Sequence, residues 1–459
     1  MIYLLAGIAA IAGLLFGYDE GVIAVASPSL ERALPMDALS HGFTTAAVPL
    51  GALVGAIIAG RITEFLGRRR VLMMAALLFA AGALAAAAVT SILMLIGARL
   101  VLGVAIGVAA VVAPLYIAEA APLRVRGAMV STYQLAITAG IVLSYLTGLV
   151  IGGDDTWRIM FALGAVPGLV FLFGLMFLPE SPRWLVRQGR DEEAGASLRR
   201  LRGASADTSH EITAIRKIAH AEDSAGSSPA RLTAAWVRPA LIVGAGLFFL
   251  QQLSGINAVI YYAPTIFKYA GLADATVQIV ATIGVGVVNF LVTIVAMALI
   301  DRWGRRPLLI AGFTGAAAAL LLIAIAALVP DLFPPVIVVL ALFGFIASFA
   351  VSLGPLPHLM MSEVYPLSMR GPGMSVASVS NWGFNFVVVF LFPVLLTMIG
   401  LAGTFGLFAA VCVAGVFFTS AQVPETRGVS LEEIEAYLRA GRPLGELRPS
   451  GLVPVEART

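Results

Sequence analysis

Long apolar runs, each cut short by a few polar or charged residues, dominate this chain from end to end. A bilayer core about 30 Å thick needs ~20 helical residues to cross it. Twelve runs meet that length: 2–26, 43–62, 71–90, 92–117, 128–151, 158–178, 238–262, 276–300, 307–329, 334–360, 372–398 and 402–422. They fall as six, a polar stretch, then six. The polar stretch 179–237 mixes arginines with acids, and its periodicity predicts short amphipathic helices over Glu192–Arg202 and His210–Ala221, with Ser224–Pro229 as linker. The expected organisation is therefore a first six-helix bundle (1–178), a linker with short helices (179–237), a second six-helix bundle (238–422) and a tail (423–459). The fold class predicted is an all-α membrane protein.

Composition agrees with this pattern. The chain has 459 residues, 60% of them hydrophobic and 12% charged, with a mean hydropathy of +0.97. A water-soluble protein of this size needs far more polar surface. Its 47 glycines suit helices whose backbones approach closely in a membrane. The runs are continuous, not alternating, which excludes an outer-membrane barrel. The first run lacks a basic leader and carries Asp19 and Glu20, so it reads as a retained helix, not a cleaved signal. One cysteine, Cys412, excludes an intrachain disulfide. All Lys and Arg except Arg32, Arg99, Arg158 and Lys268 fall in the even-numbered connections, at the run ends that border them, or in the tail. The positive-inside rule makes that side cytoplasmic, with both termini there, in a cell membrane. The basic residues are thereby explained by topology and do not point to nucleic acid.

The chain also repeats itself. Glu119-Ala-Ala-Pro-Leu-Arg-Val-Arg126-Gly127 returns as Glu363-Val-Tyr-Pro-Leu-Ser-Met-Arg370-Gly371, with the same spacing of acid and arginine. Pro179-Glu180 returns as Pro424-Glu425, and Gly67-Arg68-Arg69 as Gly304-Arg305-Arg306, at nearly one offset. Two copies of one membrane unit are how transporters build a site between halves. Glu119, Arg126, Glu180, Glu363, Arg370, Glu425, Arg68, Arg69, Arg305 and Arg306 lie at cytoplasmic helix ends, where they are expected to pair across the two halves as a gate that holds the inside closed and breaks when it opens. Topology alone accounts for some of the arginines but not for the duplicated acids.

Within the apolar runs, Asp19 and Arg99 stand out. A charge at mid-bilayer costs ~2.5–3.5 kcal/mol on insertion scales, so it is usually paired and functional. Glu20, next to Asp19, points roughly 100° away around the helix and is expected to face the outer vestibule, with a second proton site as the alternative. Several amides also lie within spans: Gln134, Gln251, Gln252, Asn257, Asn289 and Asn381, with Tyr261 one turn beyond Asn257. An amide both gives and accepts hydrogen bonds, as a sugar hydroxyl does, without bringing charge into the membrane. Membrane amides also serve simply to bond neighbouring helices, and for any single one that reading stands beside the first. Ser254-Gly255 is expected to break the seventh span, and Pro355 and Pro357 to loosen the tenth. Phe16 and Trp382 are candidates to stack on a sugar ring, with packing an equal role for Phe16.

The motifs Gly67-Arg68-Arg69, Asp301-Arg-Trp-Gly-Arg-Arg306, Pro179-Glu-Ser-Pro-Arg-Trp-Leu185, Gln251-Gln-Leu-Ser-Gly-Ile-Asn257 and Pro424-Glu-Thr-Arg-Gly428 occur together and in order. In them the chain resembles the sugar porters of the major facilitator superfamily. The resemblance implies that Asp19, in Phe16-Gly17-Tyr18-Asp19, is the proton site and Arg99 its partner. It implies sugar contacts from Gln134, Gln251, Gln252, Asn257, Tyr261, Asn289, Gly354 and Asn381. Where this family commonly has tryptophan, the chain has His358, a smaller polar side chain that joins the candidate site as a sugar hydrogen-bonder, a proton sensor or a spacer. The first-half copy Glu64-Phe-Leu-Gly67 also departs from Asp301-Arg-Trp-Gly304.

The expected function is proton-coupled uptake of a neutral monosaccharide by alternating access, with sugar, proton and membrane lipid as partners, a functional monomer, and no cofactor or metal. The alternatives are a proton-independent facilitator, a polyol or inositol symporter, and a sugar-sensing receptor. An enzyme is not expected, because His41, His210, His220, His358 and Cys412 form neither a metal cluster nor a nucleophile–base pair in the sequence.

Overall fold

In the first half, hydrophobic length sets the spans and small polar or glycine residues end them. The computed structural model describes residues 1–122, 125–151, 156–203, 207–225, 234–365, 370–429 and 431–447; the side chains at 126, 218–225, 301, 370–372 and 431–432 lie outside that description. The first five spans are α1 (Ile2–Ala33), α2 (Ala38–Leu66), α3 (Arg68–Ala88), α4 (Ile92–Ala120) and α5 (Arg126–Ile151). The sixth is cut at Gly164 into α6 (Trp157–Leu163) and α7 (Ala165–Met176). Several helices overrun their predicted ends. The helix α2 starts at Ala38 because Asp37 caps it, accepting from the Ser40 N–H at 2.8 Å. The Ser40 hydroxyl and N–H hold that exposed carboxyl below its usual range.

Between the halves lie α8 (Pro182–Arg187), α9 (Asp191–Arg202) and α10 (Ser209–Ala225). The second half opens with α11 (Arg238–Leu253) and α12 (Ile256–Tyr269), one span broken by Gly255 at φ +87°. The break is where Ser254-Gly255 predicted it. A side chain at residue 255 would also collide with the Phe408 ring. Next come α13 (Ala275–Trp303) and α14 (Arg305–Leu328). The tenth span is α15 (Pro335–Ser348), a π-turn (Phe349–Leu353) and α16 (Leu356–Val364), so the prolines do interrupt it. A single run, α17 (Arg370–Gln422), holds the last two spans, which part at Gly400 with φ +68°. Counting it once, eleven helical segments among the described residues are long and apolar enough to cross a membrane; dividing it at Gly400 gives the predicted twelve. The tail carries α18 (Leu431–Arg439). No strand occurs among the described residues.

The halves are built alike. The helix α1 packs on α5, α2 on α4, and α3 on α7; correspondingly α11 packs on α17, α13 on α15, and α14 on α17. Gly17 lets the backbone of α1 lie directly against the Ile137 carbonyl of α5, which fixes Asp19 and Glu20 at the centre of the bundle. Leu93 is 78% exposed while Leu95 is fully buried. Apolar side chains on both faces are what lipid outside and protein inside require.

The halves meet through α2 with α17 and α5 with α13. Those contacts gather at one end. Phe43 stands edge-on between Phe386 and Phe390, His41 meets the Tyr262 ring at 5.2 Å, and the Tyr145 hydroxyl donates to the Ile260 carbonyl at 2.9 Å. At the other end lie the duplicated charges.

Candidate functional site

The two carboxyls of α1 face different ways. Asp19 turns toward α4, with Oδ2 3.5 Å from Arg99 Nη2; the two residues are 2% and 0% exposed. Arg99 is held from other sides as well. Its Nε donates to the Thr44 carbonyl on α2 at 2.9 Å, and its guanidinium lies 5.8 Å from the Phe161 ring centre. Nη1 has no hydrogen-bond partner among the described residues. A charge-assisted bond runs ≈ 2.7–2.9 Å, so the Asp19 contact is long and the Thr44 contact is the firmer one. Arg99 is thus held more closely to α2 than to Asp19.

Glu20 is 3% exposed. It is enclosed by protein here, at the level where Gly17 brings α5 against α1. The tight α1–α5 packing at Gly17 turns that face of α1 into protein.

Four predicted amides come together in the second half. Asn257 Nδ2 donates to Gln252 Oε1 at 2.8 Å, and Gln252 Nε2 donates to Asn381 Oδ1 at 2.6 Å. Gln251 Nε2 reaches the carbonyl oxygens of Leu353 at 2.7 Å and Gly354 at 3.3 Å. Those carbonyls belong to the interrupted stretch of the tenth span, where broken helix frees backbone acceptors. The Gly255 break brings Asn257 back onto Gln252, so the amides form one chain from α11 and α12 to α17. The Gln251 Oε1 and Tyr261 hydroxyl are buried without partners among the described residues. Asn289 is buried on α13, and Gln134 is half-buried on α5, in the opposite half from the amide chain. Phe16 and Trp382 meet across the halves, with ring centres 5.3 Å apart at 59°. His358 is exposed and lies edge-on to Phe248 at 4.8 Å. Tyr133, whose buried hydroxyl also lacks a partner among the described residues, was not anticipated; only its place one residue before Gln134 hinted at it.

The duplicated charges fold into duplicated structures. Arg68 makes a bidentate pair with Glu119 at 2.8 and 2.7 Å, and Arg305 pairs with Glu363 at 3.3 and 3.0 Å. Glu180 accepts from the N–H groups of Arg68 and Arg69 at 2.9 and 3.1 Å; Glu425 accepts from those of Arg305 and Arg306, both at 3.1 Å. Each glutamate caps a helix N-terminus, where backbone N–H groups and the helix dipole favour an anion. Ser181 and Thr426 donate to Glu119 and Glu363 in turn. Arg69 and Arg306 hold carbonyls at the ends of α7 and α17. Among the described side chains these pairs lie within each half. The reason is the turn at Gly67 and Gly304, both at φ +87°, which sets each arginine at a helix start beside its own half's glutamates. The side chains of Arg126 and Arg370 lie outside the described residues.

The chain is similar to several known proteins. The galactose-proton symporter of Escherichia coli K12 is 38% identical over 449 residues, covering 97% of this chain and 96% of that protein. The major myo-inositol transporter IolT of Bacillus subtilis is 36% identical over 451 residues, covering 96% and 94%. The xylose transporter XylE from E. coli, solved in a partially occluded inward open conformation, superposes with a TM-score of 0.82 at 29% identity, covering 94% of this chain and 99% of that one. The family described as "Sugar (and other) transporter" matches residues 5–438, and with two six-span halves around a buried ion pair and an amide chain, this integral membrane protein belongs to that sugar-porter family.

Proposed function

We propose that the protein carries a neutral monosaccharide and a proton together into the cell, its two halves rocking around the central site. The observation that carries this reading is the sealed Asp19–Arg99 pair. Protonation of Asp19 cancels its charge and releases it from Arg99, which keeps its hold on the Thr44 carbonyl. A buried ion pair that opens on protonation links proton binding to the relation between α1 and α4. The amide chain supplies neutral donors and acceptors for sugar hydroxyls, and Phe16 and Trp382 offer ring faces. The galactose and xylose carriers among its relatives support a sugar, and the myo-inositol carrier keeps a cyclic polyol in view.

The arginine-rich end faces the cytoplasm in this reading. The opposite ends are locked together by Phe43, His41 and Tyr145, which corresponds to an inward-facing state. The paired charges of each half act as latches that keep that half rigid while it moves.

The test is sugar-driven proton entry into cells or vesicles in weakly buffered medium, with D-xylose, D-galactose and myo-inositol as probes. Alkalinisation of the medium with one of these and not with a non-substrate is expected. Uptake of the same solute with no alkalinisation and no response to ionophores makes the protein a facilitator instead.

A further inference from the structure

The outer ends of the two halves close around one histidine. His41 stands in the first turn of α2, and its ring lies edge-on to Tyr262 of α12, with centres 5.2 Å apart at 75°. Tyr262 is itself held by the second half. Its ring stacks on Phe392 at 5.0 Å, and its hydroxyl donates to the Val389 carbonyl at 3.1 Å. The helix α12 kinks at this same tyrosine, with φ −120° and ψ 18°, so the contact falls where the outer part of that helix bends. One residue after His41, Gly42 lets the α2 backbone lie against the Phe390 carbonyl of α17. The surroundings of His41 therefore exist only while the halves are together at this end.

The two ring nitrogens meet different neighbours. Nδ1 lies 3.4 Å from Glu31 Oε1 on α1, a carboxyl of the same half whose side chain is 44% exposed. Nε2 is buried and has no hydrogen-bond partner among the described residues. The other charged and titratable groups on the packed elements are turned elsewhere. Arg32 of α1 is exposed, as is Asp37, which caps α2 through Ser40. The helix α12 brings the Tyr262 hydroxyl, committed to α17, and further along an exposed Lys268. The helix α17 brings only aromatic rings and the Phe390 carbonyl. Arg99 of α4 lies deeper, on the Thr44 carbonyl.

An ionised carboxylate only accepts, so Nδ1 beside Glu31 carries the hydrogen and neutral His41 keeps a bare lone pair at Nε2. A second proton has Nε2 as its only place. In the closed contact it makes a buried N–H with no acceptor, which is costly, and more so on a charged group. When the halves part, Tyr262 leaves and water satisfies the same N–H. Glu31 belongs to the first half and stays beside His41 in both states, so it favours the proton without choosing between them. We propose that His41 is a proton-sensitive catch of the outer seal. Neutral, it lets the halves close against Tyr262; protonated at Nε2, it holds them apart. The protein then opens outward more readily when the outside is acid, the side from which a symported proton comes. This goes beyond the carrier reading and takes from it only that the halves part at this end.

Distances between two spin labels test this without transport. The labels go on Leu39→Cys and Tyr269→Cys, exposed positions at the outer ends of α2 and α12. The parent chain also carries Cys412→Ser and Asp19→Asn, so that neither the native thiol nor the coupling carboxyl takes part. In nanodiscs, lowering the pH from about 8 to about 5 is expected to raise the ratio of long to short distances by roughly 5- to 150-fold. His41→Phe keeps a ring against Tyr262 but cannot titrate, and it is expected to abolish the rise. His41→Gln is expected to do the same, and it serves if His41→Phe is not recovered folded. Glu31→Gln is expected to keep the rise and move its midpoint to lower pH. A rise that survives both His41 changes, a parent with no rise, or a midpoint that Glu31→Gln leaves in place overturns the proposal. A ratio that falls on acidification makes the Tyr262 ring an acceptor for the proton and overturns it too. No sugar is present, so the result does not depend on which solute is carried or on whether a proton travels with it.

Discussion

Replacing Asp19 by asparagine removes one charge and one proton site while keeping size and a carbonyl acceptor. A proton crossing ~100 mV gains ~2.3 kcal/mol, enough for roughly 50-fold accumulation of a neutral solute. The mutant is expected to lose all of that, so uphill uptake falls to equilibration, while exchange of labelled for unlabelled sugar continues. Its stability is set by what remains around Arg99. Breaking a buried ion pair typically costs ~3–5 kcal/mol because a charge is left bare. Here the Thr44 carbonyl at 2.9 Å and the Phe161 face stay in place, and the lost contact is a long one at 3.5 Å. A loss of ~1–3 kcal/mol is therefore expected. Proteoliposomes report accumulation and counterflow from the same preparation, and a thermal shift in detergent reports the stability. Undiminished accumulation by Asp19→Asn, dissipated by ionophore as in the wild type, refutes the reasoning.

Gln252→Leu strands Asn257 Nδ2 and Asn381 Oδ1 at once, so KM for sugar is expected to rise by roughly 5- to 150-fold with proton coupling intact, read from initial uptake rates. Glu180→Ala and Glu425→Ala each uncover two helix-start N–H groups; each is expected to cost about 1–2 kcal/mol in thermal unfolding, alike because the two caps are alike. Gly255→Ala forces a left-handed conformation on alanine and pushes its methyl into Phe408, which is expected to lower folded yield and transport together; a fully active variant would show that the break in the seventh span is dispensable.

What could be read from the chain alone was whatever depends on hydrophobic length and local chemistry. Twelve runs of membrane-crossing length, the six-and-six grouping and the breaks at Gly255 and near Pro355 depend on residues close in sequence, and the bilayer's thickness makes length alone informative. Asp19 and Arg99 stood out for the same reason, because charge is rare in such runs. Direction was another matter. Glu20 sits one residue from Asp19, yet its surroundings are set by how closely Gly17 lets α5 approach. The duplicated motif named its acids and arginines but not their partners; the Gly67 and Gly304 turns place Arg68 and Arg305 beside glutamates of their own half. The amide chain likewise needed the fold, since Gln252 and Asn381 lie far apart in sequence and meet only where α11 packs on α17. Sequence determined which groups enter the membrane, because burial there is paid for residue by residue; tertiary structure decided which of them face one another, because contact depends on helix rotation and packing that no local pattern encodes.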